Sequence, residues 1–247
     1  MSELLFGIHT IEALLTIAPE RIYKLYYQMN RHDARFQALL CQAQRYKIPV
    51  EALSKHALDQ RVPIDAHHQG VIADCKPASA GVEKDLFAAL EGLQSPPLLL
   101  VLDSVQDPHN LGACLRSAHA SGVTAVLANK HQAVGLTRVV RKVSCAASEL
   151  IPFIQVINLT RTLEQLKQRG FWVYGLVAEK AQRSIYQTDL SGPLALVLGS
   201  EGKGLRRLTQ MCCDALLTIP MQGSISSLNV SVAAGIVLFE ARRQRMV

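Results

Sequence analysis

The chain lacks the features that would place it in a membrane or outside the cell. Its opening residues, MSELLFGIHT, carry no basic segment ahead of a long apolar core, so no secretory signal is expected. No apolar run approaches the ~20 residues that a membrane-spanning helix needs. The cysteines (Cys41, Cys75, Cys114, Cys145, Cys212 and Cys213) show no paired spacing and no C-x-x-C. Without an export signal they read as reduced thiols of a cytoplasmic protein. Adjacent Cys212 and Cys213, with distant His67 and His68, make a poor tetrahedral ligand set, so no metal is expected. Two nucleotide fingerprints are missing as well. The strand candidate at 98–102 runs into DSVQDPHNLGACLRSA, which contains no G-x-G-x-x-G. The later loop LVLGSEGKGLRRL fails the pattern G-x-x-x-x-G-K-[ST] twice, with Val197 where glycine is required and Gly204 where a hydroxyl is required.

What is present suits a globular protein. The 247 residues are 49% hydrophobic and 19% charged, enough to bury a core without covalent staples. The net charge of +6 permits a polyanionic partner without demanding one. The excess sits late in the chain. Residues 1–80 hold 9 Lys and Arg against 8 Asp and Glu, and the remainder holds 17 against 12.

The pattern divides the chain into residues 1–75, a small α/β module, 76–96, a linker with a short amphipathic helix, and 97–247, a larger α/β domain. In the first module IHTIEALL and ARFQALLCQAQRY have helical spacing, and IYKLYYQ, IPVEAL and GVIADC read as strands. KPASAG opens the linker. In the larger domain LLLVL, VTAVL, FWVYGLV, LALVL and ALLTI are buried strand candidates with helical stretches between most of them. Apolar strands alternating with helices predict a parallel sheet covered on both faces. The last helix places Val230, Ala233, Ala234, Val237, Leu238 and Ala241 on its apolar side and ends in Arg242, Arg243 and Arg245, which suit a helix C-terminus.

Polar residues interrupt this pattern in three places. In NLGACLRSA, Asn110 is a candidate N-cap, and Gly112 lets something approach the first helical turn. Arg116 interrupts a row of small residues there, either as a surface arginine or as a contact for an anion or a partner. Glu201 is flanked by Gly199, Gly202 and Gly204, in a loop that serves a turn or a ligand. In IPMQGSISSLNVSVAAG, Gly223, Ser224, Ser226, Ser227 and Asn229 separate a strand end from an apolar helix. Either Ser227 or Asn229 can cap that helix, worth about 1 kcal/mol, which leaves the other to be explained. In RVVRK, Arg138, Arg141 and Lys142 share a helical face, suited to phosphate or simply solvated.

These three segments, in this order, resemble the three motifs of the SpoU/TrmH branch of the SPOUT methyltransferases, which transfer a methyl group from S-adenosylmethionine to ribose 2′-hydroxyls of RNA. The resemblance covers roughly residues 98–247, and with HHQGVIA it extends over the first module. It implies a fold that periodicity does not: a C-terminal parallel sheet tied into a deep trefoil knot, preceded by a small L30e-like α/β domain that binds RNA. It implies 23S rRNA, free or in an assembling large ribosomal subunit, as partner, a guanosine ribose in the peptidyl-transferase region as target, and a homodimer with sites at its interface. Carried over by position, Asn110, Arg116, Glu201, Ser227 and Asn229 become catalytic residues, and Gly199, Ile219, Met221 and Leu228 become donor contacts. Arg116 is expected to stabilise the developing alkoxide and an adjacent phosphate, because a guanidinium scarcely deprotonates. Asn110, Ser227 and Asn229 would orient the ribose, and Glu201 the arginine or its loop. The competing readings are the same chemistry on tRNA, a non-catalytic RNA-binding or ribosome-assembly protein, and a nicotinamide-dependent oxidoreductase, the last opposed by the missing fingerprint.

Overall fold

A computed structural model describes residues 2–31, 33–64, 66–178, 183–223 and 227–246. They form two units, Met1–Ala78 and Ser79–Val247. The first is a mixed sheet with helices. Its elements are β1 (Glu3–Phe6), α1 (Ile8–Ile17), β2 (Ile22–Gln28), α2 (Ala34–Arg45), β3 (Val50–Leu53), α3 (Lys55–Asp59) and β4 (Val71–Cys75). The sheet order is β1-β4-β2-β3. The helical spacing in α1 buries Ile8, Ile11, Leu14 and Leu15. In α2 Asp33 caps the first turn by accepting from the Phe36 N–H at 3.0 Å.

The second unit continues with α4 (Glu83–Ala89), β5 (Leu98–Asp103), α5 (Pro108–Ser121), β6 (Ala125–Asn129), α6 (Arg138–Val143), α7 (Ala147–Leu150), β7 (Phe153–Val156) and α8 (Leu159–Gln168). It ends with β8 (Trp172–Leu176), β9 (Arg183–Ser184), β10 (Leu194–Gly199), α9 (Arg207–Cys212), β11 (Ala215–Thr218) and α10 (Val230–Gln244). The sheet order is β7-β6-β5-β10-β8-β11-β9, and every neighbouring pair is parallel. Alternate residues of β5 serve opposite faces. Leu98, Leu100 and Leu102 join a core with α5 and α10, whereas Leu99 and Val101 join one with α4 and α8. Residues just before β5 belong to this body, because Gly81 bridges to Ile154 of β7.

Several local expectations are corrected. Asp107, not Asn110, caps α5, accepting from the His109 N–H at 2.9 Å. Pro108 then opens the helix, as its fixed φ favours, so Asn110 lies inside the first turn. The three basic residues of α6 do not form one solvated face, because Arg141 pairs with the buried carboxylate of Glu149. Arg245 does not serve the end of its own helix; it donates to the carbonyls of Leu190 (3.0 Å) and Pro96 (2.7 Å). Among the described residues, no helix is long and apolar enough to cross a membrane.

What approaches Gly112 is α6. A Cβ on Gly112 would lie 2.7 Å from the Val143 Cβ and 3.0 Å from the Val140 carbonyl. Gly112→Ala is therefore expected to lower stability by about 1–3 kcal/mol through overpacking, read as a reduced denaturant midpoint. An unchanged midpoint would show that α6 yields freely.

Candidate active site

Ligands of open parallel sheets bind where strands end at their carboxyl edge. In the second unit the ends of β8, β10 and β11 open into a cavity of about 820 Å³. Its walls are apolar at Leu176, Leu198, Leu205 and Ile219, and polar at Glu201, Thr218 and Asn229.

The loop after β10 is tightly folded. Gly204 donates to the Ser200 carbonyl at 2.9 Å, and Gly202 and Gly204 adopt φ of 76° and 65°, conformations that favour glycine. A Cβ on Gly199 would lie 2.0 Å from the Gly204 carbonyl carbon, so no other residue fits there without displacing the loop. Asp103 fastens the far end. Its fully buried carboxylate accepts from the Arg206 N–H at 3.0 Å and from Arg206 Nε at 2.6 Å. Asp103 is also the register partner of Gly199 in the sheet.

Asn229 joins the three motif segments. Its Nδ2 donates to Asn110 Oδ1 at 3.0 Å and to Glu201 Oε1. Its Oδ1 accepts from the Ser231 N–H at 2.9 Å and from Ser231 Oγ at 2.6 Å, so it is the N-cap of α10. Two donors and two acceptor sites exhaust the amide. Asn229 is thus a hub that holds Asn110 and Glu201. The surplus hydroxyl, Ser227, lines the cavity.

Seven of the nine residues singled out in the sequence line this cavity: Gly199, Glu201, Ile219, Met221, Ser227, Leu228 and Asn229. Asn110, buried, reaches them through Asn229. Arg116 stands apart, exposed on α5 and without a hydrogen bond or ion pair among the described residues. Ser224 and Ser226 lie outside the described residues. Sequence reasoning missed Asp103, although a charge directly after five apolar residues at a strand end was a readable sign. The nearby thiols are poor nucleophiles, since burial pushes Cys213 and Cys114 up to about 12.

Residues 97–239 match the model of the SpoU rRNA Methylase family, and residues 4–80 match that of RNA 2′-O ribose methyltransferase substrate binding. The chain is 49% identical to the 23S rRNA (guanosine-2′-O-)-methyltransferase RlmB of Pseudomonas putida, over 99% of this chain and 98% of that protein. It is 50% identical to the protein of the same name from Pasteurella multocida over the full length of both, 100% each way. Its fold resembles that of the SpoU methyltransferase AviRb from Streptomyces viridochromogenes, solved with AdoMet, with a TM-score of 0.72 at 23% identity, covering 99% of this chain and 91% of that one. The chain belongs to the SpoU rRNA methylase family.

Asn229→Ala is expected to cost about 1 kcal/mol of stability through the lost cap and to lower methyl transfer at least tenfold through the lost hub. Asn229→Ser keeps a capping oxygen, so it should restore the thermal midpoint but not turnover. Full turnover in the serine variant would remove the hub from the mechanism.

Proposed function

We propose that this chain methylates the ribose 2′-hydroxyl of a guanosine in 23S rRNA, using S-adenosylmethionine, in the cytoplasm. The observation that carries this reading is the joining of Asn110, Glu201 and Asn229, from three distant parts of the chain, by one amide at a cavity at the strand ends that Glu201 and Asn229 line. The identity to named 23S rRNA guanosine methyltransferases along the whole chain supports the substrate. The target region is the peptidyl-transferase region, met in free rRNA or in an assembling large subunit.

The cavity suits the donor. At about 820 Å³ it lies within the usual range for small-molecule sites, and its apolar side chains offer an adenine a dry wall. Gly199, Ile219, Met221 and Leu228 are the proposed contacts. The bound donor supplies an electrophilic methyl group. The rest of the work falls to the protein. A ribose hydroxyl ionises only far above neutral pH, and each pH unit of that gap costs about 1.36 kcal/mol at pH 7. Arg116 lowers that cost as a fixed cation beside the developing alkoxide and a neighbouring phosphate. Ser227 and the amide of Asn110 orient the ribose, and Asn229, bound to Glu201, keeps Asn110 in place.

Arg116 lies outside the cavity of its own copy, which supports a homodimer in which it meets ribose at the cavity rim of a second copy. Val232 and Phe239, half-exposed and seven residues apart on α10, are an apolar face suited to that contact. The topology supports the trefoil knot: β10 inserts between β5 and β8, and the chain leaving β11 returns to pack α10 against α5. The mixed sheet of the first unit supports an L30e-like RNA-binding domain, with residues 1–75 as that domain, 76–96 as a linker whose short helix α4 packs into the core of the second unit, and 97–247 as the catalytic domain.

Labelled methyl transfer to unmethylated large-subunit rRNA, with the product mapped, should give one 2′-O-methylguanosine in 23S rRNA. Label in tRNA alone would overturn the substrate. Arg116→Lys should lower kcat at least tenfold at unchanged donor affinity, and near-normal turnover would exclude a role for the planar guanidinium.

A further inference from the structure

We infer that a cleft in the first unit is a subsite for one unpaired nucleotide of the RNA substrate, separate from the reacting ribose; this rests on the proposed rRNA methyltransferase activity. The cleft measures about 410 Å³ and lies between the end of β2, the start of α3 and the turn before β4. Nothing in the methyl-transfer chemistry uses it.

Its floor is rigid. His68, buried, accepts the Gly70 N–H on Nδ1 at 3.1 Å, so the proton of the neutral ring sits on Nε2, which donates to Asp59 Oδ1 at 2.7 Å. Gln69 and Gly70 follow with φ of 50° and 74°, both left-handed. A Cβ on Gly70 would lie 2.8 Å from Arg31 Nη1 and 3.3 Å from Gln28 Oε1, so glycine keeps that space open. Arg31 in turn holds the Gln69 carbonyl and Asp33. The Gln69 side-chain oxygen accepts from the Ile8 N–H at 3.0 Å, which fixes its amide and leaves the NH2 group.

Against this floor stand three groups with no side-chain partner among the described residues: the Lys55 ammonium, the His67 imidazole and the Gln28 amide. They match the three parts of a nucleotide. Lys55 faces a phosphate as a point charge, His67 offers a ring face to a base, and the Gln28 and Gln69 amides offer donors and an acceptor to a base edge. Arg31 is paired with Asp33 and Asp59 is bound to His68, so among the described lining residues Lys55 is the cation left to meet a phosphate, enough for one rather than several. A cleft of this size admits one splayed nucleotide and no duplex.

The test compares the 247-residue chain carrying Lys55→Glu with His67→Ala against Arg45→Glu, an equal charge reversal at an exposed residue of α2 outside the cleft. The altered side chains are all exposed, so the fold should persist. Binding to an rRNA fragment and steady-state methyl transfer are measured together. The cleft variant is expected to raise Kd and KM for RNA about tenfold with the donor Kd unmoved, while Arg45→Glu stays within about twofold of wild type. Lys55→Ala alone should flatten the slope of log affinity against log salt by about 0.7, the value for one phosphate contact to a single strand. Unaltered RNA binding in the cleft variant, or equal weakening by Arg45→Glu, would overturn the subsite while leaving the methyltransferase reading intact. A wild-type chain that neither binds nor methylates rRNA would remove both.

Discussion

The carboxylate of Asp103, buried at the end of β5, accepts two hydrogen bonds from Arg206, and the cavity depends on that clasp. Asp103 lies opposite Gly199 in the sheet, so the chain leaves the strand edge at Gly199, turns through two left-handed glycines and is caught again at the place it left. Burying a carboxylate is costly unless its oxygens are hydrogen-bonded, and Ser104 Oγ adds a third bond at 3.2 Å. The loop supplies Arg206, and the carboxylate that closes it comes from the end of another strand.

Closing the loop has a consequence for chemistry. It sets Glu201 within reach of Asn229, and Asn229 holds Asn110 with the same amide group while capping α10. One side chain therefore couples the start of the last helix, the glycine loop and the first turn of α5. A fully bonded amide has little freedom to rotate, and such preorganisation is what a site needs when its task is to aim a weak nucleophile. In the second unit that amide sits at the cavity, whereas Arg116 is exposed elsewhere on α5.

Much of this was legible in the sequence where a single physical rule dominated. The runs at 98–102 and 194–198 are buried throughout in the parallel sheet, as their continuous apolar pattern predicts, and the run at 215–219 yields β11, in which Leu217 is buried. The four-residue strand β7, FIQV, is too short to show a period, and it went unread. Asparagine favours an N-cap, but at this helix Asp107 followed by Pro108 competes better for the place than Asn110. Arg141 and Arg245 were read by local charge, whereas their partners, Glu149 and the carbonyls of Leu190 and Pro96, lie elsewhere in the fold. The nine site residues came from motif likeness, and the geometry gathers eight of them by cavity or hydrogen bond. Asp103 was missed because its role exists only across a separation of 103 residues.

The most direct measurement is a calorimetric titration of S-adenosylmethionine into the Asp103→Asn protein beside the wild type. The exchange keeps the shape of the side chain and removes its charge. If the clasp holds the cavity in its binding form, the donor Kd rises at least tenfold while far-ultraviolet circular dichroism stays as in the wild type. A donor Kd equal to that of the wild type would mean that the glycine loop keeps its form without Asp103, and that the cavity is organised by something else.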